Sequence, residues 1–198
     1  MTGVVLRGPI ELADPLEVAL GFFEAYGPDD PGGAAEPDAF DERDLKRANR
    51  GGSRISAAEQ AAVLERRGRI ECALRAIPAD ASLAARTVAW RPLTELFGSF
   101  AEIRGVGFAK MTKALHGKRP ALIPILDSVV QAYLASDGPA PAEFGERATS
   151  LVRGYKQDLD RNRTPLREVR KALAKRGYTV TEVRILDVLI WSAAVSSP

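Results

Sequence analysis

Two glycines separated by one valine, Gly105-Val106-Gly107, sit between stretches whose apolar residues recur at helical spacing. This confines the middle of the chain to two helices joined by a tight turn, because glycine reaches backbone dihedrals that a β-carbon obstructs. The helix-hairpin-helix predicted this way covers about residues 93–116. Its second helix begins with N–H groups that lack intrahelical partners. With the helix dipole they form a seat for an anion such as phosphate. Lys110 and Lys113 lie three apart and share one face of that helix, and His116, Lys118 and Arg119 follow. Glycine turn, helix start and flanking cations suit a sequence-independent grip on a DNA backbone. Taken alone, the same turn is also an ordinary αα-hairpin.

The rest of the chain reads as helix with little else. Helices are predicted at Pro15–Ala25, Asp41–Arg50, about Ser56–Ala76, Trp90–Phe100, Ser128–Leu134, Ala142–Asn162, Pro165–Lys175 and Val180–Val195. Asp14 and Pro15 open the first. Ser56 with Glu59, and Thr179 with Glu182, have the spacing of capping boxes. Residues 27–40 read as a flexible acidic loop and Gly138–Pro141 as a turn. Met1–Leu6 and Ala121–Ile125 are the only β-like runs, and neither has an evident partner. The expected class is all-α. Residues 1–198 are expected to form a single helical domain, with room for two small lobes around a cleft.

Composition removes several kinds of chemistry. One cysteine, Cys72, cannot make an intramolecular disulfide or a multi-cysteine metal site, and it is expected to be a buried thiol. One histidine, His116, cannot build a histidine metal centre. No metal or cofactor is therefore expected, and any chemistry falls mainly to carboxylates, lysines, hydroxyls and backbone groups. No apolar run approaches the roughly 20 residues of a membrane span, and residues 1–14 lack the pattern of a signal peptide. A soluble, cytoplasmic monomer is expected. The net charge of +2 hides an asymmetry. Residues 1–50 hold 11 acidic and 5 basic side chains, whereas residues 150–184 hold 10 basic and 4 acidic ones. The basic part suits either a polyanion or a solvated helical face.

The hairpin also carries a family likeness. Ile103-Arg104-Gly105-Val106-Gly107, followed by a helix, a proline-containing loop and Ile123-Pro124-Ile125-Leu126-Asp127, resembles the helix-hairpin-helix (HhH-GPD) DNA glycosylase superfamily. In that superfamily the turn is Leu-Pro-Gly-Val/Ile-Gly, and an apolar run ends in Asp-Thr/Val-His. Arg104 stands where the proline usually is, and Val129 where the histidine is. Bifunctional members place a Schiff-base lysine at the position of Ala109, and Lys110 points about 100° away from it. The resemblance thus implies a monofunctional enzyme. It covers about thirty residues. The run Lys118-Arg119-Pro120-Ala121-Leu122-Ile123-Pro124-Ile125-Leu126-Asp127 also resembles an uncharacterised actinobacterial branch, which implies no activity. Upstream, Ala48-Asn49-Arg50-Gly51-Gly52-Ser53-Arg54-Ile55 resembles the loop by which 8-oxoguanine glycosylases fill the hole left by a flipped base. Asn49 would enter the duplex and Arg54 would read the widowed base. The alternative is a plain Gly-Gly connector.

The implied function is hydrolysis of the N-glycosidic bond of a damaged or modified base in DNA. The alternative is a non-catalytic helix-hairpin-helix DNA-binding protein, or a protein-interaction domain in which the hairpin is only structural. Base departure builds positive charge on the sugar, and a carboxylate stabilises it and orients the attacking water. Asp127 is the candidate, and its place before Ser128 equally suits a helix N-cap. Gly105, Gly107, Lys110, Lys113, His116, Lys118, Arg119, Asn49 and Arg54 are the candidate DNA contacts. His116 could also protonate a leaving base. The flipped base would need an aromatic pocket. Trp90, Phe97, Phe100, Tyr133, Tyr155 and Trp191 are open candidates, each equally a core residue, with Trp191 read as core. Asp187 reads as a buried partner of an arginine such as Arg184, and Asp158 and Asp160 as surface pairs.

Overall fold

Side-chain caps set where the first helices begin. The computed structural model describes residues 3–8, 10–27, 36–135 and 141–196. Asp14 accepts from Glu17 N at 3.2 Å and opens α1 (Pro15–Tyr26). Asp41 N donates to Asp44 Oδ2 at 3.0 Å while Asp41 Oδ1 accepts from Arg43 N at 2.7 Å, opening α2 (Glu42–Arg50). Ser56 and Glu59 form the predicted capping box of α3 (Ala57–Glu65). The long helix expected over residues 56–76 is broken at Arg66, and α4 (Arg67–Arg75) follows. Arg66 Nη1 donates to Ala101 O at 2.6 Å, so a tertiary bond accompanies a break that no residue type announces.

Beyond these lie α5 (Trp90–Gly98), α6 (Phe108–His116), α7 (Ser128–Leu134), α8 (Phe144–Arg161), α9 (Arg163–Ala174) and α10 (Glu182–Ser196). The chain is a compact, mostly helical domain. α5 and α8 form its closest helix pair. Gly145 lets the backbones meet, since a Cβ there would lie 2.6 Å from Thr94 O and 3.0 Å from Gly98 N. Thr94 and Thr149 share a 2.8 Å hydroxyl bond across the same contact. α10 packs against α1, α7, α8 and α9, and its residues Val183, Ile185, Leu186, Val188, Leu189 and Ile190 are buried.

Both β-like runs depart from expectation. Val4–Val5 (β1) pairs antiparallel with Glu11–Leu12 (β2), with Val4 opposite Leu12. The Asn162 side chain completes the ribbon by accepting from Val5 N and donating to Val5 O, both at 2.8 Å. Arg7 Nε then donates to Asp158 Oδ2 at 2.5 Å. Asp158 is thereby fully buried, not a surface partner, because its charge holds the ribbon against α8. Ala121–Ile125 is not a strand. Cys72 is exposed rather than buried, since α4 turns that face outward. Residues 28–35 of the expected acidic loop and 138–140 of the predicted turn lie outside the described residues. Among the described residues, no helix is long and apolar enough to cross a membrane.

Candidate active-site cleft

The site is built on the extended run before α7. Side chains, not a neighbouring strand, satisfy its backbone groups. His116 Nδ1–H donates to Ile123 O at 2.6 Å. Ile125 N donates to Asp187 Oδ2 at 3.2 Å, and Leu126 N to Thr112 Oγ1 at 3.0 Å. Gln131 Nε2 donates to Leu126 O at 2.8 Å. Thr112 and His116 come from α6, so the hairpin's second helix sets the path that delivers Asp127. Asp127 is half-buried and caps α7, its Oδ1 accepting from Val130 N at 2.9 Å. The N-cap expected of this residue is present, and the residue also lines a cleft.

That cleft holds about 640 Å³. Asp127 and Asp187 line it together. Asp187 is buried within the apolar stretch of α10, and its Oδ1 has no hydrogen-bond partner. Tyr155 from α8 lies near, but its hydroxyl donates to Val183 O at 2.6 Å. Burial pushes the Asp187 carboxyl up to about 7, against the opposing pull of the Arg184 charge and the Ile125 N–H. Arg47, Arg50, Lys113, His116 and Arg184 contribute the cationic side of the cleft. Lys113 Nζ donates to Gly51 O at 2.9 Å, joining α6 to the Gly-Gly loop at the rim. Phe22, Tyr26 and Trp191 form an aromatic wall, with Trp191 edge-on to Phe22 at 5.6 Å and to Tyr26 at 5.8 Å. Arg184 lies over the Phe22 ring at 5.3 Å.

The predicted contacts divide. Gly105 has φ +83° and Gly107 caps α6 in an extended conformation, and both are exposed. They mark the turn at the N-terminal end of α6, whereas the cleft is lined from its C-terminal half, at Lys113 and His116. Lys110 leaves that face, since its Nζ bonds both Glu59 oxygens at 2.7 and 2.8 Å. Lys110 and the Ser56 backbone hold the Glu59 carboxyl below the usual range. Lys118 is corrected: it is buried in a 2.9 Å ion pair with Asp44. Arg119 is corrected too. It is wholly buried, with Nη2 donating to Leu74 O at 2.8 Å and Ile77 O at 2.7 Å, so it caps the end of α4 and reaches no phosphate. Asn49 is not poised to enter a duplex, because its side chain clasps Ile55 N at 2.6 Å and Ile55 O at 2.9 Å. Arg54 is exposed with φ 53°, and only Arg50, Gly51 and Gly52 of that loop line the cleft.

Phe22, Tyr26, Arg47 and Arg50 were not expected at a site, and Arg184 was expected only as a partner of Asp187, because their helices show no sign of facing one another. Trp191 and Asp187 were expected in the core. The signal for Asp187 was present as a lone carboxylate in Ile185-Leu186-Asp187-Val188-Leu189. Of the other aromatic candidates, Phe97, Phe100 and Tyr155 are buried in the core, Trp90 carries Arg153 on its face at 4.3 Å, and Tyr133 accepts from Arg7 N at 2.9 Å. No group of three or more His, Cys, Asp or Glu among the described residues could hold a metal ion.

The fold and site define a mostly helical domain in which a glycine-turned hairpin shapes a cleft containing two carboxylates. The chain belongs to DUF6308, a family of unknown function whose profile matches residues 14–194. No curated protein and no solved structure matches it.

Proposed function

We propose that the protein is a monofunctional DNA glycosylase of the helix-hairpin-helix type, acting in the cytoplasm on a damaged or modified base. The observation that carries this reading is the cleft, which Asp127 lines together with three aromatic rings and five basic side chains. The rim suits DNA phosphates, the wall a base drawn out of the stack, and the carboxylate the cation that develops on the sugar. Lys113 is the hairpin cation best placed to serve the rim, and the exposed turn at Gly105 and Gly107 supplies backbone N–H groups. With alanine at position 109 and Lys110 paired to Glu59, no lyase step is assigned.

The test is release of free base from duplexes that each carry one modified base. The wild type is expected to leave abasic sites in at least one duplex, and Asp127→Asn to leave none above background. Salt-sensitive binding without base release from any duplex would make the protein a DNA-binding module instead. The Glu59–Lys110 pair favours a further reading, in which the hairpin is a structural joint. Absence of any salt-sensitive duplex binding would overturn both DNA readings and leave that one standing.

A further inference from the structure

Asp187 is a buried carboxyl group with an unpartnered oxygen in the cleft that also contains Asp127. A buried polar atom left without a partner is costly and calls for an explanation. Asp187 is also fixed in place. Oδ2 is tied to Ile125 N, two residues before Asp127, so a single stretch of backbone sets the relation of the two carboxylates.

We propose that Asp187 is the proton donor of this cleft, giving its proton to an uncharged base as that base leaves the sugar. The inference rests on the glycosylase reading above and narrows its substrate to bases that leave as neutral species only when protonated. In the step, the bond from C1′ to the base nitrogen breaks and its electron pair goes to the base. The Asp187 proton neutralises the departing nitrogen. Water forms the new C1′–O bond, and its proton passes to Asp127. Solvent then reprotonates Asp187 and takes the proton from Asp127.

The surroundings fit a donor. Burial keeps Asp187 protonated up to about pH 7. Arg184 on its own helix opposes this, and the Asp127 charge reinforces it. Tyr155 from α8 opposes the protonation too, although its one hydroxyl proton goes to Val183 O. α9 directs Arg170 to Glu182, at 3.2 Å. Tyr26 of α1, Lys113 and His116 of α6, and Arg47 and Arg50 of α2 face the same cleft. The His116 Nδ1 proton is committed to Ile123 O. Five basic side chains around one cleft also disfavour an already cationic alkylated base.

The experiment measures base release against pH. Its probes are duplexes carrying uracil, hypoxanthine, 8-oxoguanine or 5-hydroxymethylcytosine, and a 7-methylguanine duplex whose base needs no proton to leave. The wild type is expected to prefer a neutral base and to slow as pH rises past about 7. Asp187→Asn is expected to lose roughly 10²–10⁴-fold on that base and to lose the pH-dependent limb, while Asp187→Glu recovers part of both. A wild-type rate flat through neutral pH, or a preference for 7-methylguanine, would overturn the proposal, and neither readout depends on a variant folding. A folded Asp187→Asn, checked by circular dichroism, with wild-type rate and profile would overturn it as well. If base release is lost in Asp127→Asn but intact in Asp187→Asn, only the role of Asp187 falls. If the wild type releases no base from any duplex, the glycosylase reading falls and takes this proposal with it.

Discussion

Asp187 titrates in a way that stability measurements can detect without any substrate. The unfolded carboxyl releases its proton near 3.8, while the folded one keeps it up to about 7. Between those values the native state binds more protons than the unfolded state, so this group makes stability fall as pH rises through the window. Its slope is at most about 1.4 kcal/mol per pH unit. Asp187→Asn removes the titration. Urea unfolding at about pH 5 and about pH 8 is therefore expected to show a smaller loss across the interval in the variant than in the wild type. Equal losses would mean that the carboxyl is not held protonated. The sequence shows this carboxylate only as an anomaly in an apolar run. Its role depends on Ile125 and Asp127, some sixty residues away, which local spacing does not report.

At the scale of elements, most helix starts were legible and helix meetings were not; at α10 the cap is Thr181, which accepts from Arg184 N at 3.1 Å, and not the expected Thr179. Asp14, Asp41 and Ser56 act within three residues of themselves, so their caps can be read directly from the sequence. Gly145 looked unremarkable, yet it sits where α5 and α8 touch. Gly145→Ala is expected to cost about 1–3 kcal/mol in chemical denaturation, since the added methyl meets backbone atoms that cannot step aside. The hairpin turn was legible as a turn, but its pairing with α3 was not. Glu59 occupies the side of the turn where Lys110 was expected to meet phosphate. Glu59→Gln keeps a capping group on Ser56 and weakens the hold on Lys110. If the hairpin binds DNA, duplex affinity rises in this variant and its salt dependence steepens by about one counterion. If the hairpin is a structural joint, neither changes in fluorescence anisotropy titrations.

Across the whole molecule, cations chosen as DNA contacts for their nearness to the hairpin serve different ends. Arg119 is enclosed by the carbonyls of Pro37, Leu74, Ile77 and Lys118 and by Asp38. Arg119→Met would leave those oxygens unsatisfied and is expected to cost about 3–5 kcal/mol, read as a lower melting temperature. If the protein binds DNA as proposed, the salt slope of that binding is expected to stay unchanged in this variant, whereas loss of a phosphate contact would reduce it by about one.

The sequence by itself determined that the chain is mostly helical, where most helices begin and end, and that a glycine turn precedes α6. Periodicity, capping and the freedom of glycine act over a few residues, so adjacent letters carry them. Only the tertiary structure decided which charges remain at the surface and which carboxylates share a cleft. Burial and hydrogen-bond satisfaction depend on partners brought together from α1, α2, α6 and α10. No local pattern could show that Lys118 and Arg119 turn inward while Arg47, Arg50 and Arg184 line the cleft, or that Asp187 joins Asp127.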